Sequence, residues 1–308
     1  MANRTMEKKD MLHILADFAI QQINQFKLLS GGSENSNYKI ETDKGNFILT
    51  ICEQKSMQEA NRLGELLLHL KEHGFKTSTI VKTKSGLLNS TWQGKPIQLK
   101  EYLEGNISDD FEESLLFFLG KEIATLHQIP VPDYLPKSLG YGIEHFEKLN
   151  TVEKGTPFQV WLSEAEIIIN PILKLGFRKS IIHGDIFDNN VLVNDEKSKG
   201  IIMDFEEATY YYCLFDLGMT IIGTCSNKKQ IEIPKTKALL EGYQEVIPLS
   251  LLEQKALPTF IYYAGVAMTF WRYQNFRYIK PDPKMFDHYL GLKALADNAL
   301  GIQMEDLF

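Results

Sequence analysis

The chain has 308 residues, 44% of them hydrophobic, and a formal net charge of -7. That length buries a substantial core in one large domain or two lobes, and the acidic balance excludes the clustered basic surface of a nucleic-acid binder. The opening MANRTMEKKD lacks the apolar stretch of a secretory leader and the apolar run near Phe260 to Trp271 is shorter than a membrane span, so a soluble, cytoplasmic protein is expected, with no membrane partner.

In chain order, Asn37 to Ile40, Phe47 to Ile51 and Ile97 to Tyr102 are short β-prone runs separated by the turn signals Asp43-Lys44-Gly45 and Gln93-Gly94-Lys95. They predict an antiparallel sheet. Leu63, Leu66, Leu67 and Leu70 recur at helical spacing and Gly74 supplies a stop, so a helix over Met57 to His73 is expected to pack on one sheet face. The character changes near residue 104. Ser108 is placed to cap a helix through Leu126, and helical patterns follow at Phe158 to Leu175, Leu214 to Thr224, Leu251 to Phe276 and Phe286 to Asn298. Ser180 to Ile182, Val191 to Val193 and Gly200 to Met203 interrupt them as β-prone runs, the last two flanking the polar turn Asn194 to Lys199. The expectation is an α+β fold of two lobes, with the active site in the cleft. Residues 1–103 form an antiparallel-sheet lobe with one packed helix and residues 104–308 a mainly helical lobe. Cys52, Cys213 and Cys225 show no C-x-x-C spacing and are read as packing residues, while nothing in the pattern selects an oligomeric state.

The segment IIHGDIFDNNVLVNDEKSKGIIMDF, from Ile181 to Phe205, carries the chemistry. A kinase catalytic loop has the form H-x-D-x-x-x-x-N and is followed by a metal-binding Asp that opens a D-F-x turn. His183, Asp185, Asn190 and Asp204 occupy those positions. A carboxylate facing a hydroxyl takes its proton as the oxygen attacks the γ-phosphorus of ATP, which assigns Asp185 as the base. Asn190 and Asp204 offer Mg²⁺ the hard oxygens it prefers, and His183 orients the loop. Taken singly, these residues read as a turn, a loop amide and a strand-end carboxylate; the whole set, with a hairpin between its halves, reads as phosphoryl transfer.

With these motifs the chain resembles the aminoglycoside phosphotransferase and choline kinase superfamily, small-molecule relatives of the protein kinases, over nearly its whole length. Gly184 in place of Arg and Glu206 in place of Gly separate it from typical protein kinases. The resemblance implies a protein-kinase-like two-lobed fold, and it implies that Asp216, in Leu214-Phe215-Asp216-Leu217, anchors the catalytic loop. SENSNYKIET (Ser33 to Thr42), GNFILTICE (Gly45 to Glu53), YLEG (Tyr102 to Gly105), LLEGYQEVIPL (Leu239 to Leu249) and the KPDP segment from Lys280 are similar to the bacterial homoserine kinases of this fold. Two features depart from that branch: DFEEATYYYCLFDLG, from Asp204 to Gly218, is closer to the choline kinase pattern, and the region around Trp271 and Arg272 keeps one Arg where the homoserine kinases carry a second nearby.

On this reading LSGGSENSNY is the phosphate-covering loop, with Ser33, Asn35 and Ser36 as polar contacts; a bare hairpin loop is an equally good account of it. Thr50 stands at the strand position where kinases carry a phosphate-binding Lys, with Lys39 and Lys55 as candidate replacements and Glu59 or Glu65 as their ion-pair partner. Glu101, Tyr102 and Leu103 present backbone to adenine, with Leu192 and Met203 as apolar contacts. Glu206, Glu207, Tyr210, Tyr211, Trp271 and Arg272 are candidates for the acceptor wall, although Trp and Phe on the Gly265 to Phe276 helix also suit a core. Carboxylates and aromatics suit an ammonium group, and Arg272 suits a carboxylate. The expected function is ATP- and Mg²⁺-dependent phosphorylation of a hydroxyl on a small acceptor, homoserine first, then choline, ethanolamine or an aminoglycoside. A nucleotide-binding pseudokinase is the alternative of a different class.

Overall fold

A computed structural model describes residues 6–29, 35–149, 151–227 and 230–308. The chain folds into two compact units, the first ending at Glu104 and the second beginning at Gly105.

The first unit is built on a five-stranded antiparallel sheet in the order β1-β2-β3-β5-β4, with β1 Gln25–Leu28, β2 Asn35–Thr42, β3 Gly45–Cys52, β4 Ser90–Trp92 and β5 Lys95–Glu101. Alternation along β3 and β5 sorts the two faces. Leu49, Ile51, Ile97 and Leu99 point into a core closed by Met11, Ile14 and Leu15 of the helix α1, Lys8–Ala16. Thr50 and Gln98, paired across β3 and β5, take the opposite face, where the Gln98 amide donates to the Ala60 carbonyl of the helix α2, Met57–Glu72, at 2.8 Å. Ser56 and Glu59 close a reciprocal capping box at the start of α2, and leucines fill its buried stripe. The predicted strands and α2 are present, but the expectation of one packed helix is corrected. The short KKDMLHILA segment forms a second helix, because Met11, Ile14 and Leu15 find a sheet face to bury against.

In the second unit α3 spans Glu113–Gln128 and α4 Pro157–Leu173. The N-cap of α3 is Glu112, not Ser108, whose hydroxyl instead accepts from the Asp110 amide in a local turn at 3.3 Å. The short strands β6 Lys179–Ile182 and β9 Thr209–Tyr212 pair antiparallel, as do β7 Val191–Val193 and β8 Gly200–Ile202. After β9 come α5 Cys213–Thr224, α6 Ile233–Gln244, α7 Leu251–Gln274 and α8 Tyr289–Ala299. Helix α7 runs on into a π-helical turn, Asn275–Ile279. Sequence patterning misses α6. Its packing on α3 depends on paired glycines, since a Cβ at Gly242 would lie 1.9 Å from the Phe117 carbonyl oxygen and one at Gly120 would lie 2.1 Å from that of Leu239. Among the described residues no helix is long and apolar enough to cross a membrane.

Candidate active site

Strand β6 ends in Ile181 and Ile182, both fully buried, and the chain leaves it through His183, Gly184 and Asp185. The buried His183 ring accepts from the Asp185 amide through Nδ1 at 3.1 Å, so Nε2 carries the proton and donates to the Met203 carbonyl at 2.9 Å. Burial lowers its pKa despite Asp216 nearby, which keeps the ring neutral. One imidazole thus ties Asp185 to the residue before Asp204. The ring also meets Phe205 edge-on at 4.7 Å.

Asp216, on the first turn of α5, lies beneath this loop and is fully buried. Its carboxylate accepts from the amides of Gly184 at 2.8 Å and His183 at 3.0 Å, and it pairs with His127 Nε2 at 3.1 Å. The other His127 nitrogen meets the Tyr243 hydroxyl at 2.9 Å. Burial opposes charge on both partners, but His127 and the amide donors hold Asp216 below the usual carboxylate range, and Cys213, Tyr243 and then Asp216 hold His127 well above the usual imidazole range. Asp216 therefore braces the turn from His183 to Asp185 through backbone amides, and His127 is a member of that brace which sequence reasoning missed. A histidine at the end of an apolar helix gives no signal until its partner is brought to it from α5.

Gly184 has φ +84, in the left-handed region, and its carbonyl accepts from the buried Tyr141 hydroxyl. A Cβ here would sit 3.1 Å from that hydroxyl and 3.2 Å from the Glu207 carbonyl oxygen. The half-buried Asp185 accepts from the Asn190 amide nitrogen at 3.1 Å, and the same nitrogen donates to the Asp185 carbonyl at 2.7 Å. Burial first, then the charges of Glu207 and Asp204, raise the Asp185 pKa to about 7, against the opposing pull of Asn190 and Arg272. A carboxyl titrating there can exchange a proton near neutral pH.

Because its nitrogen is committed to Asp185, Asn190 turns its oxygen the other way. Asp204 has left-handed φ 68 and ψ 66, is exposed, and follows β8, which pairs with the strand that Asn190 opens. The Met203 amide donates to the Asn190 carbonyl at 2.9 Å, closing the two positions together. Among the described residues no cage of three or more His, Cys, Asp or Glu side chains converges. Two hard oxygens from an amide and a carboxylate suit a divalent ion that fills its remaining positions with water and phosphate oxygens.

The acceptor candidates separate. Arg272 is half-buried, lies within charge range of Asp185 and donates to the His288 carbonyl at 3.4 Å. Glu207 acts electrostatically on both Asp185 and Tyr141, and Glu206 is half-buried beside it. Tyr211 is buried and turned to the Tyr263 hydroxyl at 2.9 Å, whereas Tyr210 is half-buried on alternate pleat positions of β9. Trp271 packs near Phe276 at 6.1 Å. Leu192 and Met203 are half-buried on the β7 and β8 hairpin.

In the first unit Thr50 is buried and donates to the Asn37 side chain at 2.8 Å, so a neutral hydroxyl fills the strand position. Lys39 pairs with Glu41 at 3.6 Å and stands over the Tyr102 ring at 4.5 Å. The Glu59 carboxylate accepts from the Ser56 amide and hydroxyl, both at 2.7 Å, and Lys55 and Arg62 act on it as nearby charges. Glu65 is exposed. Ser36 donates to Glu53 at 2.8 Å on the sheet face opposite Thr50, and Asn35 takes the Thr50 face. Ser33, Gly31 and Gly32 lie outside the described residues. Glu101 pairs with Lys71 at 3.8 Å, and the amides of Glu101 and Tyr102 are already bonded to the Thr79 and Asn46 carbonyls, leaving Leu103, half-buried, as the next backbone position.

A family model described as the phosphotransferase enzyme family matches residues 25–246. The chain belongs to that family. It is 30% identical to a homoserine kinase of Phenylobacterium zucineum, over 85% of this chain and 83% of that protein. It is 26% identical to a homoserine kinase of Methylobacillus flagellatus, over 87% and 84%. Solved structures share the fold: an amicoumacin kinase in complex with AMP-PNP and Ca²⁺ superposes with TM-score 0.76 at 18% identity over 98% of both chains. A Plasmodium vivax ethanolamine kinase superposes with TM-score 0.70 at 12% identity over 96% of this chain and 90% of that one. The protein is a small-molecule phosphotransferase with an alcohol group as acceptor, and its architecture is protein-kinase-like.

Proposed function

We propose that this phosphotransferase is a cytoplasmic, Mg²⁺- and ATP-dependent kinase whose acceptor is homoserine. The observation that carries the acceptor is Arg272, a half-buried cation whose charge reaches Asp185. A cation there suits an acceptor carboxylate, with the hydroxyl left to Asp185. Homoserine kinases at 30% and 26% identity support the same choice.

In this mechanism Asp185 accepts a hydrogen bond from the acceptor hydroxyl, aligns it on the γ-phosphorus and takes its proton as the new O–P bond forms and the bond from the γ-phosphorus to the β,γ-bridging oxygen breaks, releasing ADP. Asn190 and Asp204 would hold Mg²⁺, which supplies neutralisation of phosphate charge when bound. Asn190 also fixes the Asp185 carboxylate, His183 sets the Asp185 backbone, and Asp216 holds both residues before it. Catalysis then comes from positioning and electrostatics, with no covalent intermediate on the protein.

The test is a phosphate-transfer panel with ATP and Mg²⁺ against homoserine, choline, ethanolamine, hydroxylated amino acids and aminoglycosides. Homoserine should be the preferred acceptor. Preference for choline or ethanolamine would discard the homoserine assignment and promote the reading that the aromatic run Tyr210 to Tyr212 favours.

A further inference from the structure

Asp185 follows a glycine, so no side chain on its neighbour restrains the peptide that leads into it. Gly184 stands at φ +84, and the peptide planes on either side of it are held by other residues. The plane between His183 and Gly184 is fixed through its N–H, which donates to Asp216 at 2.8 Å. The plane between Gly184 and Asp185 is gripped at both ends. Its N–H, that of Asp185, donates to His183 Nδ1 at 3.1 Å, and its carbonyl, that of Gly184, accepts from the Tyr141 hydroxyl. After Asp185 the next carbonyl accepts from Asn190 Nδ2 at 2.7 Å and from the Phe187 amide at 3.1 Å. Tyr141 is the member of this clamp that reaches the loop from a remote part of the chain, ahead of α4.

Tyr141 is 2% exposed, and its ring lies 6.4 Å from that of Phe215, the residue before Asp216. Just beyond it, the Ile143 amide donates to the Tyr263 hydroxyl at 2.9 Å, and that hydroxyl meets the one of Tyr211 at 2.9 Å. The Tyr141 segment is thereby tied to α7 and to β9, and β9 pairs with β6, the strand that delivers the chain to His183. The approach to the loop is close, since a Cβ at Gly184 would lie 3.1 Å from the Tyr141 hydroxyl. Burial first, then the carboxylates of Glu207, Asp185 and Asp216, push this hydroxyl well above its usual range, so it keeps the proton it donates. Without that donor the Gly184 carbonyl is a buried acceptor left unpaired, and the wide conformational range of glycine lets the plane turn in search of another. Such a turn carries the Asp185 amide off His183 and displaces the carboxylate beyond it.

We propose that Tyr141 is a positioning residue for phosphoryl transfer, which fixes the Gly184–Asp185 peptide and through it the place of the Asp185 carboxylate. The inference rests on the reading of Asp185 as the base and adds to it a buried residue that acts on the reaction through Asp185.

The test is a double-mutant cycle in kcat, run with Mg²⁺-ATP and whichever acceptor of the panel the wild type uses best. Tyr141→Phe keeps the ring and removes the oxygen. It should lower kcat about 10- to 100-fold, the loss that a displacement of about 1 Å brings, with KM for ATP within about threefold of wild type. In the Asp185→Asn background the same substitution should cost less than about threefold, because the base it positions is already gone. A tyrosine that only supports the fold lowers kcat by one factor in both backgrounds. Equal losses in the two backgrounds, or a Tyr141→Phe kcat within about threefold of wild type, overturn the role of Tyr141 and leave Asp185 as the base. Unchanged turnover in Asp185→Asn alone overturns the reading of Asp185, and the proposal with it. Circular dichroism and thermal melting establish that the comparison is made on folded protein. Should Tyr141→Phe not fold, Tyr263→Phe, which releases the Ile143 amide, carries the same cycle. A kcat loss that disappears in the Asp185→Asn background then supports the clamp, and an equal loss in both backgrounds, or none, overturns it.

Discussion

Replacing Asp185 by Asn should make the metal-free, nucleotide-free protein more stable at alkaline pH. Burial, followed by the charges of Glu207 and Asp204, lifts this carboxyl from 3.8 to about 7. The folded value lies above the unfolded one, so between these limits the folded protein keeps a proton that the unfolded chain has released. Stability contributed at low pH is therefore lost as pH rises through about 7. At about 1.4 kcal/mol per unit the whole span corresponds to about 4 kcal/mol, of which about 2.5 kcal/mol falls between pH 5 and pH 8. Asp185→Asn has no proton to lose and keeps an oxygen for the Asn190 amide. Melting of both proteins in EDTA at the two pH values isolates the effect, because titrating groups that do not act on Asp185 cancel in the difference. The variant's advantage should widen by about 2–3 kcal/mol from pH 5 to pH 8. A gap that stays constant would refute the raised value and with it the tuning of Asp185 as a base.

In catalysis the same Asp185→Asn change should leave nucleotide affinity nearly intact while turnover falls by orders of magnitude; unchanged turnover would remove Asp185 as the base. Asp204→Ala should abolish the Mg²⁺ dependence of ATP binding, measured by calorimetry with and without the ion; normal Mg²⁺-ATP affinity would discard the metal role. Gly184→Ala forces a side chain into φ +84 against the Tyr141 hydroxyl and the Glu207 carbonyl, and should cost about 1–3 kcal/mol in thermal denaturation together with turnover. His127→Leu leaves the buried Asp216 without its cation, and a loss of about 3–5 kcal/mol in denaturant unfolding is expected; a change under about 1 kcal/mol would show that the amides of His183 and Gly184 suffice.

The fold was legible wherever local patterning and burial agree. Helix α2 could be read because four leucines at helical spacing, a Ser56 and Glu59 capping box and Gly74 all specify the same element. Elements defined by their partners were not. Helix α1 is short and derives its stability from the sheet face it covers, α6 depends on the close glycine crossing with α3, and β9 is a strand because β6 pairs with it. The start of α3 was misplaced because Ser108 has the chemistry of a cap but uses it in a turn with Asp110.

The candidate site divides along the same line. Asp185, Asn190 and Asp204 lie on one hairpin unit, so their proximity follows from sequence spacing once β7 and β8 pair. In the first unit a first-turn glutamate has two uses, an ion pair or a cap, and the position of Ser56 three residues earlier gives Glu59 the cap. The residues proposed for the acceptor side are remote in sequence: Glu206 and Glu207 after β8, Tyr210 on β9 and Arg272 on α7. No single segment there has a motif, because each residue's task is set by the hydroxyl or charge that another element brings to it.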